Sequence, residues 1–411
     1  MGPQAAALVS RVKPGKALSI SKTRWRGRDA YTLSNSAIRL TTLTGGGHIA
    51  EFSLAGNGNQ VSPLWTPPWK TIEPYTYSAR RHASEYGSIT EGKLLSGLAG
   101  HSLCLDYFGS PSAEEAQQGL SQHGEAPSAQ WVAERPRVNR SEAVLSLRAR
   151  LPAARLDFGR EMVICAGEPV VYFHETVTNL GKADHFFHWV QHVTLGPPFL
   201  TPNEVTVSLP GTQGMTFPHG YDEGKALLRS GEAFTWPDAP SNSGGTVDLS
   251  RPLTEAGLGL VAGVLLDANK DVAFIAAVNR RLRLLIAYCF RRSDFPWVAI
   301  WEENHAVAAP PWLRRTVALG LEFGTTPMPV PRRENFIAGG PLFGVPAAAF
   351  VPARGRKTVP YAALLATTPE KFTRVRSIAL EDGAITIHGD RKDQSLRLKA
   401  SRLRELLPDL S

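Results

Sequence analysis

Two histidines lie four positions apart in the stretch Phe187–His192, which reads FHWVQH. On a β-strand, His188 and His192 would point to the same face, because side chains alternate along a strand. His174 lies on the preceding predicted strand, and His185 lies just before this one. Imidazoles grouped on one sheet face can ligate a metal ion, or can act as general acids near neutral pH beside a carboxylate. Such a cluster favours a functional site over a structural role.

The acid–base interpretation also needs a carboxylate, and Glu322 is the strongest candidate. It lies in the otherwise apolar stretch 320–324, where burial would raise its pKa toward the range of a general base. An outward-facing glutamate on an edge strand is the alternative that alternation allows. A compact His-x-His motif followed by a glutamate is missing, which disfavours a metal site. We therefore assign no metal ligand.

Two further segments suggest a binding surface. Gln122-His123-Gly124 combines a histidine with a glycine, which lets the backbone turn sharply and leaves the imidazole of His123 exposed. Residues 63–77 are rich in Trp, Pro and Tyr. Amphipathic aromatic side chains of this kind suit the rim of a binding site.

The composition predicts an all-β protein. The 411 residues include 37 glycines and 31 prolines, which indicates many turns, and long runs with helical periodicity are scarce. Alternating segments recur without helical crossovers, as in antiparallel sheets packed face to face. We expect a flexible arm over residues 1–25 and a single domain over residues 26–411. The Gly/Pro/Ser/Asp-rich passage 211–256 is predicted to be a long surface excursion, functional or mobile.

Charge and cysteine content limit the choice of partner and compartment. The formal net charge of +8 is dispersed and accompanies no nucleic-acid-binding motif, so we expect no nucleic-acid partner. The three cysteines are isolated within apolar runs, which predicts buried free thiols in a reducing compartment. Because no signal peptide or membrane-spanning stretch is evident, a cytoplasmic location is predicted and no membrane partner is expected. The oligomeric state is left open.

The order of several short motifs resembles that of the aldose 1-epimerase (galactose mutarotase-like) superfamily. The resemblance spans roughly residues 30–330 and is carried by Gly100–Gly109 with Gln122-His123-Gly124, by Glu175–Leu180, by Trp189–Gly196 and by Gly320–Glu322. It implies a large antiparallel β-supersandwich with few short helices. It also implies a small-molecule carbohydrate as the partner.

The resemblance implies catalytic roles for two residues. Glu322 would remove the proton of the anomeric hydroxyl, and His192 would protonate the ring oxygen, so that the ring opens and re-closes as the other anomer. His123 would hydrogen-bond the sugar, and Trp301 could stack on one of its faces. Arg81 lies in the region of the family's substrate-binding arginine, and His188 is a further expected substrate contact. No cofactor is required.

The sequence departs from the family in one informative place. Relatives that act on hexose phosphates carry an arginine shortly after the His-Gly, and that position here is near Pro127. A phosphorylated substrate is therefore not expected by that route. The neighbouring Glu302 and Glu303 are interpreted either as rim residues or as solvated side chains.

Two other functions stay open: a carbohydrate-binding protein without turnover, and a metal-dependent sugar isomerase or lyase that uses the histidines as ligands.

Overall fold

The computed structural model describes residues 18–56, 61–221, 225–331, 334, 342–391 and 394–406. In the first half of the chain the strands are β1 (Ser19–Trp25), β2 (Arg28–Ser34), β3 (Ile38–Leu43), β4 (Ile49–Leu54), β5 (His101–Asp106), β6 (Val132–Ala133), β7 (Arg137–Val138), β8 (Glu142–Leu151), β9 (Leu156–Cys165), β10 (Val170–Asn179) and β11 (His185–Leu195). In the second half they are β12 (Val205–Ser208), β13 (Gly211–Thr216), β14 (Lys225–Ala226), β15 (Ala233–Thr235), β16 (Asp238–Pro240), β17 (Thr246–Asp248), β18 (Leu258–Leu266), β19 (Val272–Asn279), β20 (Leu284–Arg291), β21 (Trp297–Asn304), β22 (Val317–Gly324), β23 (Ala349–Val351), β24 (Arg356–Thr367), β25 (Ser377–Glu381), β26 (Ala384–His388) and β27 (Ser395–Lys399). The helices are α1 (Ala79–Tyr86), α2 (Ile89–Leu95), α3 (Ala113–Gln117) and α4 (Leu403–Leu406).

The strands form two large sheets and one small one. The larger sheet has the order β1-β2-β3-β4-β5-β11-β22-β21-β18-β13-β15-β16-β17, with β14 beside β18 and β23 beside β11. The second sheet has the order β12-β19-β20-β24-β10-β9-β8-β6, with β7 beside β8, and β25–β27 form the third. The pairings are antiparallel, except that the short β14 joins β18 in parallel. This confirms the all-β, antiparallel supersandwich with few short helices.

The main core fills the space between the two large sheets. Alternate residues of strands such as β8 and β9 point inward and are buried, including Leu145, Leu147 and Phe158. A second apolar cluster lies on the other face of the nine-stranded sheet, where β25–β27 and α4 cover it. Full burial of one large apolar side chain contributes about 1.5–3 kcal/mol, so these layers hold the site's strands firmly in place.

Two segments of the chain differ from what the sequence led us to expect: the N-terminal arm and the passage 211–256. The last part of the expected N-terminal arm is wrong, because β1 pairs with β2 along its whole length and Trp25 is buried against Ala30 and Leu43. Residues 1–17 lie outside the described residues. The passage 211–256 contributes β13–β17 to the large sheet, so much of it is ordered rather than an irregular excursion.

The cysteine expectation is confirmed, since all three are buried free thiols: Cys104, Cys165 and Cys289. Within the described part of the chain, no helix is both long and apolar enough to cross a membrane.

Candidate functional site

His192 and Glu322 form a cross-strand pair at the centre of the larger sheet. His192 lies on β11, directly opposite Glu322 on β22, and the His192 Nε2 atom is 3.1 Å from Glu322 Oε1. Both side chains are nearly inaccessible, at 6% and 2% exposure. Sheet register therefore fixes an imidazole and a carboxyl group side by side in a water-poor environment.

A neighbouring residue holds the His192 ring. Its Nδ1 atom is 3.0 Å from the hydroxyl oxygen of Thr194, two positions along the same strand. This contact fixes the ring plane and leaves Nε2 directed toward Glu322. The rings of His123 and Trp301 lie 5.0 and 5.9 Å from the His192 ring, measured between centroids.

Gly320 makes room for the Glu322 carboxyl group. A Cβ atom at position 320 would lie 2.2 Å from Glu322 Oε1 and 3.2 Å from the Trp301 ring. Residues 320 and 322 share a sheet face, so the carboxyl group folds back over the glycine. The glycine thus allows the carboxyl group and the indole to occupy neighbouring positions.

His123 is presented by a tight turn. Its backbone has a φ of 65°, and the following Gly124 has a φ of 76°. A Cβ on Gly124 would lie 2.1 Å from the carbonyl oxygen of Leu105, so only glycine fits there. The His123 Nδ1 atom hydrogen-bonds the carbonyl oxygen of Phe108, and the two rings stack. Since a carbonyl only accepts, Nδ1 carries the proton and Nε2 is left as an acceptor.

Burial controls the protonation of these three groups. Desolvation raises the pKa of Glu322 well above its usual value. Its Oε1 atom lies within hydrogen-bonding distance of His192 Nε2, but it accepts no hydrogen bond of good angle within the described part of the chain. Desolvation lowers the pKa of His192 well below its usual value, and the nearby His123 lowers it further. The pKa of His123 falls to about 4, mainly through desolvation. Burial therefore favours a pair without net charge, in which Glu322 is protonated and His192 is neutral.

These groups line a cavity of about 370 Å³. Its size falls in the range of roughly 300–1,000 Å³ that is usual for small-molecule sites. Among the described residues the polar lining consists of Glu91, Ser110, Gln122, His123, His192, Tyr221 and Glu322. The rest is apolar: Leu94, Leu95, Leu98, Phe108, Phe217, Gly220, Val261, Trp301, Val307, Trp312 and Pro329.

Two residues expected to contact substrate lie elsewhere. His188 is fully buried outside this lining, and its Nδ1 atom accepts a hydrogen bond of 3.2 Å from the backbone N–H of Phe108. Arg81 lies exposed on α1, where its guanidinium donates to the carbonyl of Thr76 at 3.5 Å. His188 thus supports the chain that carries Phe108, and Arg81 does not reach the cavity.

The other two histidines of the sequence cluster are also outside the cavity. His185 Nε2 is 2.6 Å from Asp106 Oδ1 at the start of β11. His174 lies on the opposite sheet and faces a separate groove. The four histidines therefore do not converge, because His174 and His192 belong to different sheets. Within the described residues no group of three or more His, Cys, Asp or Glu side chains could hold a metal ion.

The tandem glutamates of β21 are buried rather than solvated. Glu303 accepts hydrogen bonds from the Tyr221 hydroxyl at 2.6 Å and from the backbone N–H groups of Ala306 and Val307. Glu303 thus links Tyr221 and Val307, two cavity-lining residues that lie far apart in the chain, to β21. Glu302 accepts a hydrogen bond from the backbone N–H of Leu253, and its pKa is raised to about 8 by desolvation.

Sequence reasoning missed Trp312 and Tyr221 as lining residues. Trp312 stacks on Trp65 with 6.1 Å between ring centroids and meets Trp301 edge-on at 6.0 Å. Trp65 itself is buried in a satellite core, so the aromatic segment 63–77 supports the wall instead of forming an exposed rim. Trp297 and Trp301, shortly before Trp312, were a sequence signal for that residue, whereas residues 211–231 contain no tryptophan or tyrosine besides Tyr221.

No protein-family model matches this chain, and no curated protein matches it in sequence. Solved structures do resemble it. A candidate aldose 1-epimerase from Klebsiella pneumoniae subsp. pneumoniae shares 16% identity over 82% of this chain and 79% of its own, with a TM-score of 0.58. The Slr1438 protein from Synechocystis sp. PCC 6803 shares 14% identity over 86% of this chain and 99% of its own, with a TM-score of 0.52.

A third similar structure is a galactose mutarotase-like protein from Clostridium acetobutylicum. It shares 11% identity over 85% of this chain and 99% of its own, with a TM-score of 0.50. At such identities the likeness concerns the fold. The expected superfamily resemblance is confirmed at that level. This chain has the galactose mutarotase-like fold.

Proposed function

We propose that this protein interconverts the anomers of a reducing sugar, as an aldose 1-epimerase-like isomerase. One observation carries the proposal: His192 Nε2 and Glu322 Oε1 lie 3.1 Å apart on the lining of a cavity of small-molecule size. Anomer exchange needs one group that takes a proton and one that gives it, and a neutral pair with a single mobile proton meets that need.

The two groups stand side by side, and not on opposite sides of the sugar. This arrangement suits a hemiacetal because the anomeric oxygen and the ring oxygen are both bonded to the same carbon. With the shared proton on His192, the carboxylate of Glu322 takes the proton of the anomeric hydroxyl while the imidazole protonates the ring oxygen. The carbon–oxygen bond of the ring breaks, and the open-chain aldehyde forms. Rotation of the aldehyde group and the reverse steps give the other anomer, with the pair restored.

Two neighbours supply binding contacts in this proposal. The free Nε2 atom of His123 accepts a hydrogen bond from a sugar hydroxyl, because its Nδ1 is already committed to Phe108. The half-buried indole of Trp301 offers a flat surface next to His192, against which the C–H groups of a pyranose can pack.

Anomer exchange can be observed directly by two-dimensional exchange NMR on a panel of reducing sugars. We expect cross-peaks between the α and β signals to grow faster with the protein than without it. His192→Ala and Glu322→Gln should each lower the catalysed rate by roughly 10²–10⁴-fold, the usual contribution of general acid–base catalysis.

Matched controls are available on the small sheet, far from the cavity. His388→Ala and Glu381→Gln alter exposed side chains of β26 and β25 and should leave the rate unchanged. Sugar binding without accelerated exchange would point to a non-catalytic carbohydrate-binding protein. Full activity in both site variants would show that the acid and base are assigned wrongly.

A further inference from the structure

The strands on either side of the His192–Glu322 pair contribute different side chains to the cavity. On one side of the His192–Glu322 pair lies β5, with the turn that presents His123. The backbone N–H of Leu105 on β5 donates to the carbonyl of His123. Ser110, Gln122 and Glu91 supply polar groups on this side, since the backbone N–H of Gln122 donates to the carbonyl of Thr90 in α2. Phe108 and the α2 residues Leu94 and Leu95 add apolar surface here as well.

On the other side of the pair, the sheet presents a row of apolar side chains. Trp301 on β21 is opposite Gly320 on β22 and opposite Val261 on β18. Phe217, which follows β13, donates its backbone N–H to the carbonyl of Val261. Trp301, Val261 and Phe217 therefore lie side by side in a row that crosses β21, β18 and the end of β13. All three line the cavity.

Tyr221 extends this apolar side. Its ring lies against Gly259, where an added Cβ would approach within 2.2 Å of the ring carbons. Its hydroxyl donates to Glu303 at 2.6 Å, so the face turned to the cavity is mainly that of the ring. Val307 and Trp312 also line this side; the same glutamate holds the backbone of Val307, and Trp312 meets Trp301 edge-on.

We infer that the substrate is a sugar that carries an apolar group, such as a methyl group in place of a hydroxyl, on the edge facing Trp301, Val261 and Phe217. A hydroxyl facing Val261 and Phe217 would leave water without gaining a hydrogen bond from these two side chains, which is unfavourable. An apolar group at the same place gains contact area. The inference rests on the proposed function, which makes the ligand a reducing sugar. It adds the class of sugar, namely one that carries an apolar group at this edge.

The test compares D-glucose with its 2-, 3-, 4- and 6-deoxy derivatives, and D-galactose with D-fucose. Catalysed anomer exchange is measured by NMR, and each kcat/KM is divided by the uncatalysed rate constant of the same sugar. We expect at least one deoxy sugar to exceed its parent by roughly 10-fold or more, as a single apolar group can do in an apolar pocket. Parent sugars that equal or exceed every deoxy derivative would overturn the inference while leaving the proposed function intact.

A nearly isosteric substitution places a hydroxyl in the apolar row. Val261→Thr should lower the deoxy-to-parent ratio by roughly 5-fold or more, and Phe217→Tyr, at a half-exposed position, should lower it in the same direction. Val132→Thr is the control, because Val132 is 65% exposed and lies on the other sheet. An unchanged ratio in both site variants would contradict the proposed location of the apolar group.

Failure of the proposed function would give a different pattern. If no sugar shows accelerated exchange, saturation-transfer NMR on the same panel still reports binding. Stronger transfer to a deoxy sugar than to its parent would support the apolar subsite without turnover. Absence of binding by every sugar would overturn both proposals.

Discussion

At the scale of single residues, burial determines the pH range in which the His192–Glu322 pair can work. The lowered pKa of His192 means that a second proton joins the pair only below the ordinary histidine value of 6.5. The raised pKa of Glu322 means that the last proton leaves only well above the ordinary glutamate value of 4.5. Burial thus widens the pH range over which the pair holds one proton, at both its acid and its alkaline end.

A pH–rate profile checks this reasoning. We expect kcat/KM for anomer exchange to be flat through neutral pH, with an acid limb below about pH 6.5, because burial disfavours the imidazolium ion. The profile should be recorded by NMR or polarimetry and corrected for the uncatalysed reaction. An acid limb centred above the ordinary histidine pKa would contradict the effect of burial on His192.

The sequence predicted some of these residues better than others. His123, His192, Trp301 and Glu322 all line the cavity, and the apolar residues around Glu322 in the sequence correctly indicated that it is buried. Their catalytic and binding roles stay predictions. His188 was wrongly expected to contact the substrate because it lies on the same strand face as His192. That face extends beyond the cavity, and His188 lies on the part outside it. The position of Arg81 depends on how α1 packs, which no local pattern specifies.

At the scale of secondary-structure elements, β22 provides both the carboxyl group and the space for it. Gly320→Ala should displace the Glu322 carboxyl group, because the new Cβ would overlap its Oε1 atom. We expect anomer exchange to fall at least about 10-fold and stability to fall by about 1–3 kcal/mol, as for other overpacked sites. Gly159→Ala on β9 is a suitable control, since an added Cβ there meets nothing within 4 Å. Unchanged exchange in the Gly320 variant would contradict this role of the glycine.

The adjacent strand β21 contains a pH-sensitive group. Glu302 has its pKa raised from 4.5 to about 8, so between these values the folded state holds a proton that the unfolded state has released. The contribution of Glu302 to the free energy of unfolding is therefore most favourable below about pH 4.5, and stability is lost as the pH rises toward 8. The cause is desolvation of the carboxylate.

Glu302→Gln should remove this part of the pH dependence. Between pH 5 and pH 8 the wild type should lose at least about 1 kcal/mol more unfolding free energy than the variant. Urea unfolding at several pH values measures both proteins. Parallel pH dependences would show that Glu302 does not titrate in this range.

Elements with regular alternation were the predictable part of the fold. The strand expected around Phe187–His192 lies within β11, and the preceding strand expected to carry His174 is β10. The passage 211–256 was harder, because its strands are two to six residues long and exist through pairing with β18 and with one another. Short strands of this kind depend on tertiary contacts more than on local pattern.

At the scale of the whole molecule, a buried polar network joins the two large sheets behind the site. Glu175 on β10 accepts hydrogen bonds from Arg160 at 2.6 Å and from Tyr361 at 2.7 Å within its own sheet. It also accepts from Trp189 at 3.3 Å and Gln191 at 2.5 Å on β11 of the other sheet. The strand that carries His192 is thereby tied to the opposite layer.

Removing the charge of Glu175 tests the importance of this network for stability. Glu175→Gln leaves the guanidinium of Arg160 buried without its carboxylate, and we expect a loss of about 3–5 kcal/mol in unfolding free energy. Urea unfolding followed by tryptophan fluorescence provides the measurement, with Glu381→Gln as the exposed control. A loss of less than about 1 kcal/mol would be inconsistent with a network that holds the sheets together.

The global architecture was predictable because composition, alternation and motif order agreed on it. The order of strands across the sheet was not, because β11 pairs with β5 and β22, which lie about 80 residues before and about 130 residues after it in the chain. Bringing His192 and Glu322 together depends on that long-range pairing. The apolar row of Trp301, Val261 and Phe217 depends on it as well.

The most direct test of the account is whether His192 and Glu322 act as one unit. Anomer exchange is measured for His192→Ala, Glu322→Gln and the double variant on the sugar that the wild type converts fastest. We expect the double variant to be roughly as slow as the slower single variant, because loss of either group disables the shared proton transfer. Rate losses that multiply in the double variant, or single variants with wild-type rates, would contradict the proposed acid–base pair.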